Sequence, residues 1–359
     1  MTILLFYMKL TVHLVTWNGA KYIPYLFDSL KKQDCTNWKL LIWDNGSEDE
    51  TVDRMKHELS DAPFEFELIE SDKNNGFAGG HNELFATSDS DYFLMINQDM
   101  YLEPDCLVKL VAFMDGKKDA GAISPRLMRW NFQAVEDGHL EDSFTDYVDT
   151  LGLRVLRSRR VVEYLTGDRW AKDSLSTFVT QIMDLPEVEV FGVSGALPLC
   201  RRTAIEQVAL CDGTFLDETY HSYKEDVDLA FRLRQAGLRS YAVLNAVAYH
   251  DRSAAGPHEL TDKAARENKK NQSEWVKYHS YKNHLLTLRK NEYWQNVLVD
   301  FPWIAWYELK KGIYFLLHDR AVLRGIAEIF RMRKKTAKNS QYIAEKRKIG
   351  WRDIRVWWT

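Results

Sequence analysis

Short apolar runs rich in β-branched residues alternate with helical periodicities through the first hundred residues. Leu10, Val12, Leu14 and Val15 mark a strand over Lys9–Thr16. Trp17-Asn18-Gly19 then turns the chain into a helix over Tyr22–Gln33, whose Ile23, Leu26, Phe27 and Leu30 share one face. A second strand over Trp38–Trp43 runs into Asp44-Asn45-Gly46-Ser47 and a helix over Thr51–Leu59. Phe64–Glu70 predicts a third strand. The glycine-rich stretch Asn74–Asn82, a helix over Asn82–Ala86 and a buried central strand over Tyr92–Ile96 follow it. Such β/α alternation predicts a mostly parallel, doubly wound α/β sheet. Further on, residues 130–188 form a less periodic, charge-rich insertion. Leu197–Cys200 and Ser240–Tyr249 predict strands, and Val227, Ala230, Phe231 and Leu233 give a helical stripe behind Glu225-Asp226.

Polar or glycine-rich residues stand wherever a strand ends, and open α/β sheets bind ligands beyond the carboxyl ends of their strands. The stretch Asn74–Asn82 lacks the GK[ST] ending of a P-loop and does not match GxGxxG, which disfavours a dinucleotide-binding domain. Asp99 follows the central strand directly. It is either a ligand for Mg²⁺ or Mn²⁺ shared with substrate phosphates, or a cap for the helix that begins near Pro104. Glu225 and Asp226, at a helix start, are either dipole partners or working carboxylates. Asp228 and Arg232 suit an i,i+4 surface pair.

Four runs in order, Thr16-Trp17-Asn18, Asp44-Asn45-Gly46-Ser47, Asn75-Gly76-Phe77-Ala78-Gly79-Gly80 and Asn97-Gln98-Asp99, resemble family 2 glycosyltransferases. Asp149-Thr150-Leu151-Gly152-Leu153-Arg154 echoes their rhamnosyltransferase-like branch. The resemblance implies a GT-A fold, with a nucleotide-binding sheet merged with an acceptor-binding half. It implies an inverting transfer from a dTDP- or UDP-sugar, with rhamnose favoured, to a saccharide or a polyprenyl-pyrophosphate-linked acceptor.

By the same resemblance Asp226 is the base, and Glu225 is its orienter or the second choice for that role. Thr16, Asn18 and Asp44 receive the nucleoside, although Asp44 also suits a turn-capping role before Ser47. Asn75 and Gly76 line the pyrophosphate or base pocket, and Gly195 lies beside the donor sugar or forms a bulge. Asp99 and His250 are the metal-side residues, His250 being equally readable as a structural histidine. Asn97 stands where a strict D-x-D pattern has its first aspartate, which leaves one strong anionic ligand and lets Asn97 orient a ribose hydroxyl or a metal-bound water. The basic run Arg154–Arg160 reads as a solvated loop or a phosphate contact.

Composition adds an asymmetry. The net charge is −4, yet Arg331–Thr359 carries ten basic residues against Glu345 and Asp353, so this segment is +8 and the rest −12. We expect residues 1–255 to form the transferase region and residues 256–359 a helical, aromatic and basic appendage. That appendage suits an anionic membrane surface or a homodimer contact. The four cysteines lack metal or disulfide spacing, and no stretch approaches 18 uncharged apolar residues. Met1–Met8 lacks a cationic start and a cleavage site, and Met8 offers an alternative start. A cytoplasmic protein, either soluble or peripheral at the inner face of the plasma membrane, is the expected class. An acidic body without a reader motif argues against nucleic acid. A sugar nucleotidyltransferase would need a glycine-rich loop followed by Arg and Lys, which is absent; a nucleotide-binding protein without turnover stays open because of Asn97.

Overall fold

The computed structural model describes residues 8–252, 270 and 272–359. Expectations for Met1–Tyr7 and for positions 260–269 of the C-terminal helical run lie outside the described residues. Three β/α steps and a fourth strand open the described chain: β1 (Leu10–Thr16), α1 (Ile23–Lys31), β2 (Trp38–Asp44), α2 (Thr51–Leu59), β3 (Glu65–Glu70), α3 (Gly76–Thr87) and β4 (Tyr92–Ile96). Then come β5 (Met100–Leu102), α4 (Cys106–Gly116), β6 (Ala120–Trp130), α5 (Phe132–Glu136), β7 (Phe144–Thr150), β8 (Leu153–Val155) and β9 (Val161–Glu163). The next elements are α6 (Thr177–Ile182), β10 (Glu187–Val190), β11 (Leu199–Arg201), α7 (Arg202–Val208), α8 (Glu225–Gln235) and β12 (Arg239–His250). Five further helices are α9 (Glu274–Asn291), α10 (Trp294–Val299), α11 (Phe301–His318), α12 (Arg324–Arg331) and α13 (Arg333–Glu345).

The main sheet runs β10-β12-β6-β11-β4-β1-β2-β3, parallel across β4-β1-β2-β3 and across β12-β6, with β10 and β11 antiparallel to their neighbours. This is the mostly parallel GT-A sheet that the resemblance implies. Leu10, Val12 and Leu14 are buried between α1 and the sheet, so the alternating strand reading holds at β1. The register aligns Thr16 with Asp44 and Asp44 with Glu70, which brings three strand ends to one edge. β12 returns alongside β5, pairing His250 with Met100, the residue after Asp99.

The glycine-rich stretch is not a loop. It forms the first turns of α3, which begins at Gly76 rather than at Asn82. A Cβ on Gly80 would sit 3.0 Å from Val15 and Trp43, so this glycine lets the helix lie tight on β1 and β2. Gly76 has φ +75°, and a Cβ there would collide with the His221 carbonyl at 2.3 Å.

The C-terminal helices pack onto the sheet domain through buried polar contacts. Lys290 on α9 lies between Asp217 (2.6 Å) and Asp228 (3.0 Å), all three essentially buried. Asp228 also pairs with Arg232 at 3.0 Å, and each is about 1% exposed. The i,i+4 pairing is therefore present, but as a core contact rather than a surface one, because α9 covers this face of α8. The Arg154–Arg160 loop is not solvated at Arg159 either. Its fully buried guanidinium meets Glu292 at 2.6 Å and Asp300 at 3.1 Å, while Arg160 reaches the main cavity. Trp358 packs on Phe191 and Phe231, and Arg355 joins Asp300 at 2.8 Å, which ties part of the basic tail into the body.

Candidate active site

A cavity of about 1580 Å³ opens where β1, β4 and β12 end and α8 begins. Thr16, Gly76, Asn97, Asp99, Gly195, Glu225, Asp226 and His250 all line it. Asn18, Asp44 and Asn75 are absent from that lining. The Asp44 carboxylate accepts the Thr16 hydroxyl at 2.9 Å, the Ser47 hydroxyl at 2.6 Å and the Ser47 N–H at 2.8 Å. Those are the contacts of the turn-capping alternative. Asn18 accepts the Glu48 N–H at 2.8 Å and thereby ties the turn after β1 to the turn after β2. Asn75 donates its N–H to the Asn45 side chain (3.1 Å), whose amide in turn donates to the Gly76 carbonyl (3.1 Å). Asn45, quoted in the sequence runs but given no role there, is the lining residue of that turn.

Asp99 and His250 meet across the strand ends, with Oδ1 and Nε2 3.4 Å apart. The other ring nitrogen of His250 is held by Asp149 at 2.9 Å, and Asp149 is braced by Arg252 at 3.1 Å. Arg252 also pairs with Glu163 at 2.5 Å and donates to the Ser194 hydroxyl at 3.1 Å. Burial opposes a charge on His250, but Asp99 and Asp149 on its two sides hold its pKa up to about 9. Burial likewise disfavours the Asp149 carboxylate, and Arg252 and His250 overcome this to keep it below the usual carboxylate range. A histidine fixed at one nitrogen by a carboxylate, with the other beside an acidic residue, has the build of a metal-orienting set. Among the described residues no group of three His, Cys, Asp or Glu converges. Once the Nε2 proton of His250 is displaced, Asp99 and His250 could offer one carboxylate and one imidazole to a divalent cation whose remaining ligands would be phosphate and water. Asp149 and Arg252 had no role in the sequence reading, although the run beginning Asp149-Thr150-Leu151-Gly152 carried the signal.

Asp226 sits in the first turn of α8, on the cavity. Its carboxylate accepts the N–H of Gly195 at 3.1 Å and that of Val227 at 2.7 Å. A Cβ on Gly195 would stand 3.4 Å from the Asp226 Cβ, an ordinary van der Waals contact, so this approach does not itself require a glycine. Glu225 differs sharply from its neighbour. It is buried, one carboxyl oxygen has no partner, and burial, then the charges of Asp226 and Asp228, push its pKa up to about 8. At neutral pH Glu225 is protonated. The segment ahead of it is strained, with positive φ at His221, Tyr223 and Lys224. Asn283 on α9 pins this segment by donating to the carbonyls of Tyr220, Ser222 and Tyr223 at 3.0, 2.9 and 2.8 Å. Tyr223 and Trp275, ring centroids 5.7 Å apart, add an aromatic wall beside Asp226.

The profile of the Glycosyl transferase family 2 matches residues 11–205, more than half of the chain. The chain belongs to this family. It is 22% identical over 243 residues to the uncharacterized glycosyltransferase YfnE of Bacillus subtilis, covering 64% of this chain and 62% of that protein. It is 28% identical over 141 residues to the O-antigen chain rhamnosyltransferase RfbN of Salmonella typhimurium, 35% of this chain and 44% of that one. The family 2 chain thus spans less than two thirds of either relative. Among solved structures, the mannosyltransferase PcManGT of Pyrobaculum calidifontis, crystallised with GDP-Man and Mn²⁺, shares the fold. The TM-score is 0.50 at 15% identity, over 94% of this chain and 85% of that one.

Proposed function

We propose that this glycosyltransferase moves a sugar, with inversion, from a nucleoside-diphosphate donor to a hydroxyl of a saccharide or lipid-linked saccharide in bacterial surface-polysaccharide synthesis. The observation that carries the reading is that Asp226 shares one cavity with the Asp99–His250 pair. In the transfer, the acceptor oxygen bonds to the anomeric carbon, the bond from that carbon to the phosphate oxygen breaks, and the nucleoside diphosphate leaves with the electron pair. Asp226 takes the proton of the attacking hydroxyl, a contribution of about 10²–10⁴-fold. Glu225, protonated at neutral pH, is unsuited to that task and is assigned an orienting role beside Asp226. Asp99 and His250 would hold Mg²⁺ or Mn²⁺, which when bound neutralises the charge on the departing phosphates.

Thr16, Asn97 and Gly76 are assigned to the nucleotide side, with Asn18, Asp44 and Asn75 shaping the adjoining turns. Gly195 borders the donor sugar. The Tyr223–Trp275 wall suits the apolar face of an acceptor sugar ring. L-Rhamnose from dTDP-rhamnose is the favoured donor, in keeping with the likeness to RfbN. A UDP-sugar is the second choice, since the chain is also 28% identical over 114 residues to a Staphylococcus aureus poly(ribitol-phosphate) β-N-acetylglucosaminyltransferase, TarS, 30% of this chain and 19% of that one.

A thermal-shift screen with dTDP, UDP and GDP, each with and without Mn²⁺, tests this. Metal-dependent stabilisation by dTDP, followed by turnover of dTDP-rhamnose that Asp226→Asn abolishes, is the expected result. Preference for UDP would discard rhamnose. Binding without turnover of any donor would point to a nucleotide-binding protein that lacks catalysis. No response to any nucleotide would overturn the donor-site assignment.

A further inference from the structure

Helix α11 is amphipathic in the reverse sense. Its inner side holds charged residues around one buried apolar anchor: Phe315 packs on Tyr281 with ring centroids 5.0 Å apart, Glu308 pairs with His284 at 2.8 Å, and the Lys311 ammonium lies 4.5 Å from the Tyr281 ring centroid. Its outer side is apolar, with Trp306 61%, Leu309 55% and Leu316 51% exposed, spaced three and seven residues apart along one stripe. A water-facing helix ordinarily presents polar residues there, and clustered exposed apolar side chains mark an interaction surface.

The charge around this stripe selects the occupant. Over residues 300–319 the three carboxylates all turn inward, Asp300 to Arg355, Glu308 to His284 and Asp319 to Lys277. Two cations adjoin the stripe: Lys310, 5.6 Å from the Trp306 ring and also lining the cavity, and Arg157, whose guanidinium lies 3.7 Å over the Trp303 ring while pairing with Asp300 at 3.0 Å. Apolar residues flanked by tryptophan and by Lys or Arg, without outward carboxylates, match the boundary between anionic headgroups and acyl chains. No described helix is long and apolar enough to cross a membrane, so the stripe would lie in the surface. The inner side of the same helix, through Tyr307 and Lys311, lines the cavity that holds Asp226.

We propose that α11 seats the enzyme on an anionic lipid bilayer, with the catalytic cavity opening at that surface. The acceptor's lipid anchor then stays in the bilayer while its sugar reaches Asp226. This last step rests on the transferase reading above; the lipid contact itself does not.

The test is co-sedimentation of the full chain with vesicles of phosphatidylglycerol and phosphatidylcholine, against phosphatidylcholine alone. The chain should bind the anionic vesicles, and the triple variant W306E/L309E/L316E should bind at least about tenfold more weakly, since it removes the inserted apolar area. None of these three residues lines the cavity, so nucleotide-induced stabilisation should match the parent's and certify the fold. That same readout judges the transferase reading separately. K334E/K338E, two exposed changes on α13, should retain most of the vesicle binding. Equal loss in both variants would instead assign the attraction to the basic tail and overturn the α11 assignment. Unchanged binding by the triple variant would overturn it as well. So would a parent that ignores vesicles but forms a dimer which the triple variant dissociates, because the stripe would then belong to a second copy.

Discussion

Replacing Asn283 by Leu keeps the branched side-chain shape and removes the donors that hold the segment before Asp226. The amide nitrogen carries two hydrogens, which three carbonyls at 2.8–3.0 Å share. At about 1 kcal/mol net per hydrogen bond, the loss is about 2 kcal/mol. Opposing it, positive φ at His221, Tyr223 and Lys224 stores about 1 kcal/mol per residue. Strain and restraint are thus similar in size, and removing the restraint lets the segment relax away from the geometry that places Asp226. If the full 2 kcal/mol appears in the population of the active arrangement, turnover falls about thirtyfold. Donor turnover is followed by nucleoside-diphosphate release, and donor binding by thermal shift. Asn283→Leu should lose turnover, lower the melting temperature by a few degrees and keep most of the nucleotide-induced shift, because Thr16 and Asn97, at the ends of β1 and β4, lie outside this segment and only Gly76 abuts it, at His221. Full turnover in this variant would refute the reasoning, and so would loss of the nucleotide shift together with turnover, which would signal general unfolding.

Three further outcomes follow from the same geometry. Asp226→Asn should reduce turnover at least about 10²-fold while leaving nucleotide stabilisation intact, as read in the same two assays. Glu225, with its pKa raised to about 8 from an unfolded value near 4.5, binds its proton more tightly when folded, so stability falls as pH climbs between these values. Glu225→Gln should remove that fall, and melting curves at pH 5 and pH 8 should show its advantage over the parent only at the higher pH. Lys290→Met leaves Asp217 and Asp228 buried without their shared cation and should cost about 3–5 kcal/mol in denaturant unfolding. In the parent, Lys290 draws Asp217 down to about 2 against burial. The stabilisation from Asp217 is therefore present above pH 3.8 and lost as pH falls through about 2, a loss the variant should lack.

Strands β1, β2 and β4 and helix α2 were legible because local periodicity and flanking turns suffice to define such elements. The second half of α3 was legible too, but its first turns were not, because their glycines are demanded by a long-range contact, the approach of the helix to Val15 and Trp43. Asp228 and Arg232 show the same division at the level of one pair. Their spacing foretold the ion pair, but only the docking of α9 decided that it lies in the core.

By itself the sequence determined the alternation of strands and helices and the polar residues at the strand ends, since both depend on neighbours a few positions apart. Only the tertiary structure decided which of those residues act together. Asp99, Asp149 and His250 are far apart in the chain, and they meet because β12 folds back beside β5 while β7 packs against β6. The protonation of Glu225 and the inward turn of the α11 carboxylates have the same origin. Burial and the proximity of charges from distant segments set both, and neither quantity is encoded in local spacing.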